Sequence, residues 1–153
     1  MLAIKIYRIS NFFYERKIPL IPKLLVYFNY FLFNSFIPAS TKIGKNSKFA
    51  YGGIGVVLHS KAIIGNRCII GQGVTIGRKL SSIGIPIIGN DVYIAAGSRL
   101  LGDIKIGSNV IIGANSVVIH NIPDNCIIAG SPAKVVKKID VSIYELMDGL
   151  FDK

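Results

Sequence analysis

The chain has 153 residues, 51% of them apolar and 17% charged, which excludes a disordered polar chain and is enough for one well-buried domain. A formal charge of +10 calls for anionic partners, yet the basic residues lack the aromatic interleaving or recognition helix of a nucleic-acid reader. No metal-ligand cluster appears; Cys68 and Cys126 form no C-x-x-C motif or disulfide framework, and without a credible cleavable signal the expected setting is a reducing cytoplasm.

Residues 1–40 are strongly aromatic and carry Lys5, Arg8, Arg16, Lys17 and Lys23. Pro19 and Pro22 separate a predicted first helix near 2–15 from a second near 23–36. The apolar run "LLVYFNYFLFNSFI" falls short of the roughly 20 residues needed to span a bilayer. Two roles stay open: packing on the end of the following domain or on a neighbouring subunit, or peripheral contact with a membrane.

From about residue 41 a six-residue period takes over. Aliphatics followed by small residues recur at Ile64-Gly65, Ile70-Gly71, Ile76-Gly77, Ile88-Gly89, Ile94-Ala95, Ile106-Gly107 and Ile112-Gly113, and the phase reaches back to Leu58-His59. Four places after each aliphatic stand Ala62, Cys68, Val74, Val92, Ser98, Ile104, Val110 and Ser116, also expected inside. Neither a helix nor an ordinary strand has this period, but short strands joined at three corners per coil do. Stacked coils share one core, and the glycines are expected to supply positive φ at the corners. The pattern weakens in "RKLSSIGIP", residues 78–86, which reads either as a segment shaping a site or as a plain surface loop.

After the repeats, "NIPDNCIIAGSPAKVVKKI" reads as a final turn and extended tail, with Lys134, Lys137 and Lys138 as a second basic cluster. The repeat domain then covers 41–139. Residues 140–153, with "SIYELMDGLF", form either a short closing helix or a solvated tail.

The segments "GVVLHSKAIIGNRCIIGQGVTIG", "IAAGSRLLGDIKIGSNVIIGANSVV" and "IAGSPAKVV" resemble the hexapeptide-repeat acyltransferases, in particular their serine acetyltransferase-like branch. The resemblance implies a left-handed parallel β-helix, an exception to the right-handed crossover rule, assembled as a homotrimer that uses acetyl-CoA. It departs at Tyr51–Gly55, where serine acetyltransferases carry Asp-His-Gly-Thr-Gly, and at Gly84, Ile85 and Pro86, where they carry Arg-His-Pro. "YGGIGVVLH" instead resembles sugar O-acetyltransferases of surface-polysaccharide synthesis, whose histidine takes the place of His59. The expected function is therefore O-acetylation of a sugar or glycan precursor. The alternatives are serine O-acetylation and an inactive solenoid used for assembly.

Acetyl transfer to a hydroxyl needs a base, and His59 is the expected one. Continuing the six-residue phase through the loop stacks Gly77, Ala95 and Gly113 beside it, a column of small residues suited to the pantetheine arm. Backbone N–H groups near Ala96 and Ala114 are expected to meet that arm, and Lys134 and Lys137 its phosphates. The same counting puts His120 on another side of the coil, as a surface residue.

Overall fold

The computed structural model describes residues 2–80 and 83–148. After two helices, α1 (Leu2–Glu15) and α2 (Ile21–Phe33), the chain winds into a left-handed parallel β-helix with three flat faces. The first face stacks Lys42–Ile43, Ile63–Ile64, Ile87–Ile88 and Lys105–Ile106. The second stacks Lys48–Phe49, Ile69–Ile70, Val92–Ile94, Val110–Ile112 and Cys126–Gly130, and Ala133–Lys138 adds to it antiparallel. The third stacks Val57–Leu58, Thr75–Gly77, Arg99–Leu101 and Val117–Val118.

The predicted aliphatics line the interior. Ile64, Ile70, Ile76, Ile88, Ile94, Leu100 and Ile112 are all buried, and Ala62, Cys68, Val74, Val92 and Val110 fill the space beside them. Fully burying an isoleucine stabilises by about 1.5–3 kcal/mol, so this stack is the main cohesive element of the coil. Ser98 and Ser116, the polar members of the set, both donate to Gly113 O, at 3.0 and 2.7 Å.

The glycines of the Ile-Gly pairs do not serve as expected. Gly65, Gly71, Gly89, Gly107 and Gly113 do not have positive φ; that conformation falls three places after the aliphatic, at Arg67, Gly73, Asp91, Gly97, Asn109 and Asn115. The paired glycines are required by proximity instead. A Cβ on Gly65 would stand 2.3 Å from Gly89 O, and one on Gly44 would stand 2.5 Å from Gly65 O. The corner after the first face is thus too tight for any side chain.

Helix α1 closes the first coil. Tyr7 donates to Thr41 O at 2.5 Å, Asn11 to Ala39 O at 2.8 Å, and the Arg8 guanidinium to the carbonyls of Ile43 and Gly44. These carbonyls belong to the end of the stack, where no further coil lies below to receive them. Burial raises the pKa of Tyr7, so its hydroxyl remains a donor. Helix α2 begins earlier than predicted because Pro22 fits the first turn, where its missing N–H costs nothing. It ends earlier too, at left-handed Asn34.

At the other terminus, α3 (Ile143–Leu146) is a single turn started by Ser142. It lays Ile143 and Met147 on the outside of the second face, against Ile69 and Ala50 with Tyr93, Ile111 and Ile127 beside them. The end of the predicted closing helix, Gly149–Phe151, lies outside the described residues.

Candidate functional site

His59 is half-buried at the corner after the third face. Its N–H donates to Ile76 O at 2.8 Å, and its carbonyl accepts from the Thr41 hydroxyl at 3.1 Å. The Lys61 N–H donates to His59 Nδ1 at 3.1 Å, so the neutral ring carries its proton on Nε2. Gly77 stacks directly beside His59, as expected. Among the described residues a Cβ at Gly77 would meet nothing nearer than 4.0 Å, and the segment from Arg78 leaves from this point. The loop returns over Asp103, close enough that a Cβ on Gly84 would stand 2.3 Å from Asp103 Cβ.

The rest of the predicted column is elsewhere. Gly77 pairs with Leu101, an offset of 24 residues rather than 18, and Leu100 pairs with Val118, which continues the His59 corner through Leu101 to Ile119. The stretch joining Gly77 to Ile87 holds six residues more than the other passages round this corner. Ala95 and Gly113 therefore belong to the corner after the second face, in a column Ala50, Gly71, Ala95, Gly113 and Ala129. Gly71 and Ala129 are the members that sequence phase missed. The same offset corrects His120, which follows Val118 at the His59 corner, three coils on and about 14 Å along the axis.

The small-residue corner has the attributes of a narrow groove. Ala95 is buried, Ala96 half-buried and Ala114 exposed, and among the described residues the N–H groups of Ala96 and Ala114 donate no hydrogen bond. A side chain on Gly71 would collide with Ala96 N at 2.7 Å, so the backbone there is bare by necessity. Lys134 is paired with Ala129 at the end of the column, and Lys137 with Ile127; both are exposed. The Tyr51–Gly55 segment stands at the foot of the same corner, just after Ala50.

Other reactive groups are committed. Cys68 and Cys126 are buried free thiols whose pKa burial raises, which makes them inert packing groups. Asp91 forms a two-point ion pair with Arg67, at 2.6 and 2.5 Å, at the corner after the first face and so away from His59. Among the described residues no group of three or more metal-ligating side chains occurs.

Comparison with known proteins adds the class. The model of the family "Bacterial transferase hexapeptide (six repeats)" matches residues 85–120. By fold and by repeat the chain is of the hexapeptide-repeat acyltransferase type. Within that class its relatives are serine acetyltransferases. The one from Synechococcus elongatus is 36% identical over 146 residues, covering 94% of this chain and 59% of that protein. The crystal structure of Neisseria gonorrhoeae serine acetyltransferase superposes with a TM-score of 0.84 at 32% identity, covering 96% of this chain and 57% of that one. That of the Brucella abortus serine acetyltransferase in complex with coenzyme A gives a TM-score of 0.85 at 27% identity, covering 92% and 56%. The chain thus spans somewhat over half the length of the relatives it matches.

These relatives overturn the expectation of a sugar or polysaccharide acceptor. That expectation rested on two short stretches, Tyr51–His59 and Gly84–Pro86, whereas the likeness to proteins named serine acetyltransferase runs along nearly the whole chain.

Proposed function

We propose that this chain transfers acetyl from acetyl-CoA to the hydroxyl of serine, in a homotrimer whose reaction sites lie between copies. The observation that carries the proposal is the bare corner of Gly71, Ala95, Gly113 and Ala129. Its unpaired Ala96 and Ala114 N–H groups and terminal Lys134 match, in order, an amide-bearing pantetheine arm and a phosphate. A relative of this fold named as a complex with coenzyme A supports the same ligand.

The free faces support the trimer. Helix α3 covers the second face, while Val57, Ile63 and Ile87 leave exposed apolar places on the third and first. Turning the third faces toward a three-fold axis sets each copy's His59 corner against the next copy's small-residue corner, because these two corners bound that face. His59 then stands opposite Gly52 of the neighbouring copy, the position where the serine acetyltransferase motif carries its own histidine.

In that arrangement the His59 ring turns from the Lys61 N–H and its freed Nδ1 lone pair takes the serine hydroxyl proton. The serine oxygen attacks the thioester carbonyl carbon, the tetrahedral intermediate collapses, and the CoA thiolate leaves and recovers the proton from the imidazolium.

Release of free CoA from acetyl-CoA on addition of L-serine tests the reaction. The groove has its own test: Gly113→Leu or Ala95→Leu should weaken CoA binding at least tenfold in calorimetry, with circular dichroism showing an intact coil. Unchanged affinity in a folded Gly113→Leu protein would put the groove elsewhere.

A further inference from the structure

Helix α2 buries its one asparagine and leaves large apolar side chains outside. The stripe facing the protein is Pro22, Val26, Asn29 and Phe33, and Asn29 is buried, donating to Ala3 O at 3.1 Å. The opposite stripe, Leu20, Leu24, Tyr27, Phe28 and Phe31, recurs at helical spacing and faces water at 70, 66, 66, 50 and 89% exposure. A soluble helix normally buries its apolar stripe and exposes its polar one. Here Leu24, Tyr27, Phe28 and Phe31 are covered by no element among the described residues.

The charge around this stripe is mostly positive. Lys17 and Lys23 are exposed at the α1–α2 turn, and Arg16 stacks its guanidinium 3.4 Å over the Phe12 ring. Glu15 is the only acidic residue in the first 40. Leu20 is held at a φ of 70, a region bulky side chains avoid, at the exposed tip of the turn. Beside it opens an apolar cleft of about 700 Å³ lined by Tyr14, Ile18, Leu20, Val26, Tyr27 and Phe36, with Lys17, Lys23 and Glu15 also on its walls.

We propose that this hairpin docks the protein on an anionic bilayer surface. The Leu20–Phe31 stripe enters the boundary between headgroups and acyl chains, and Lys17, Lys23 and Arg16 pair with lipid phosphates. No described helix is long and apolar enough to cross a membrane, so contact is peripheral. Aromatic side chains favour the interface, and each cation near an anionic surface strengthens the attraction. The hairpin sits at the first-coil end of the prism, where a rotational ring of copies presents all its hairpins to one plane. The proposal does not depend on the identity of the acyl acceptor.

The test is co-sedimentation of the full chain with vesicles of phosphatidylcholine and phosphatidylglycerol in equal parts, against pure phosphatidylcholine. Binding to the mixed vesicles should exceed that to neutral ones at least tenfold at low salt and fall away at 0.5 M salt. Lys17→Glu with Lys23→Glu, and separately Leu24→Ser with Tyr27→Ser and Phe31→Ser, should each lower binding at least tenfold. All of these positions are exposed, and an unchanged melting curve checks that the variants fold. Wild-type protein that stays in solution with anionic vesicles would overturn the proposal, as would an apolar variant that binds like wild type. If the wild type ignores vesicles but sediments as a larger particle than the apolar variant, the face is an interface between copies and the proposal fails.

Discussion

Gly65→Ala is expected to destabilise the protein by about 3 kcal/mol or more, the upper end for overpacking, although it adds one methyl group at a corner. The methyl would stand 2.3 Å from Gly89 O and 2.7 Å from Asn90 Oδ1. A carbonyl in the next coil cannot rotate aside as a side-chain end can, since Gly65 N itself donates to Ile88 O at 3.0 Å and holds the two coils together. Separating them would break the ladder above and below. Gly77→Ala is the matched control, because the same methyl there meets only Thr75 Cγ2 at 4.0 Å. Its effect should lie within about 0.5 kcal/mol. Equal denaturation midpoints for the two variants would contradict the close-approach account of the Ile-Gly pairs.

That account marks how far the sequence could be read. The six-residue phase gives which side chains point inward, since an aliphatic such as Ile88 occupies the same interior place on any face. Assigning a residue to one of three faces requires counting in whole coils, and this count slips wherever a loop is extruded. The stretch 78–86 keeps the six-residue phase, so nothing in the pattern signals that the later residues have moved round by one face. Phase alone puts Ala95 and Gly113 at the His59 corner and His120 at another, whereas the register of Gly77 with Leu101 exchanges these corners and still leaves His120 three coils from His59. The positive φ values were misplaced for a related reason. Asn109 and Asn115 have them because asparagine tolerates the left-handed region, which leaves the adjacent glycines to answer for proximity. Which stripe of α2 is covered was not legible, since apolar side chains occur all round this helix and its one asparagine is buried.

His59→Ala is expected to lower acetyl transfer by roughly 10²- to 10⁴-fold, the usual contribution of a general base. The side chain is half-buried at a corner and its visible bond is the one it accepts from Lys61 N–H, so its removal should leave the coil and CoA affinity intact. His120→Ala is the internal comparison: it lies at the same corner but about 14 Å away along the axis, beyond hydrogen-bond reach. Its turnover should stay within a few-fold of wild type. Near-normal turnover in His59→Ala, or an equal loss in His120→Ala, would remove His59 from the mechanism. The resting tautomer can be checked separately by nitrogen-15 NMR, which should report the proton on Nε2 in the free protein.

The most direct test of the account is the rate of CoA release from acetyl-CoA by the purified chain, measured with and without L-serine and paired with detection of O-acetylserine. Serine-dependent release that saturates with both substrates and yields one O-acetylserine per CoA is the predicted result. Release no faster with L-serine than in buffer, from a folded protein that binds CoA, would contradict it.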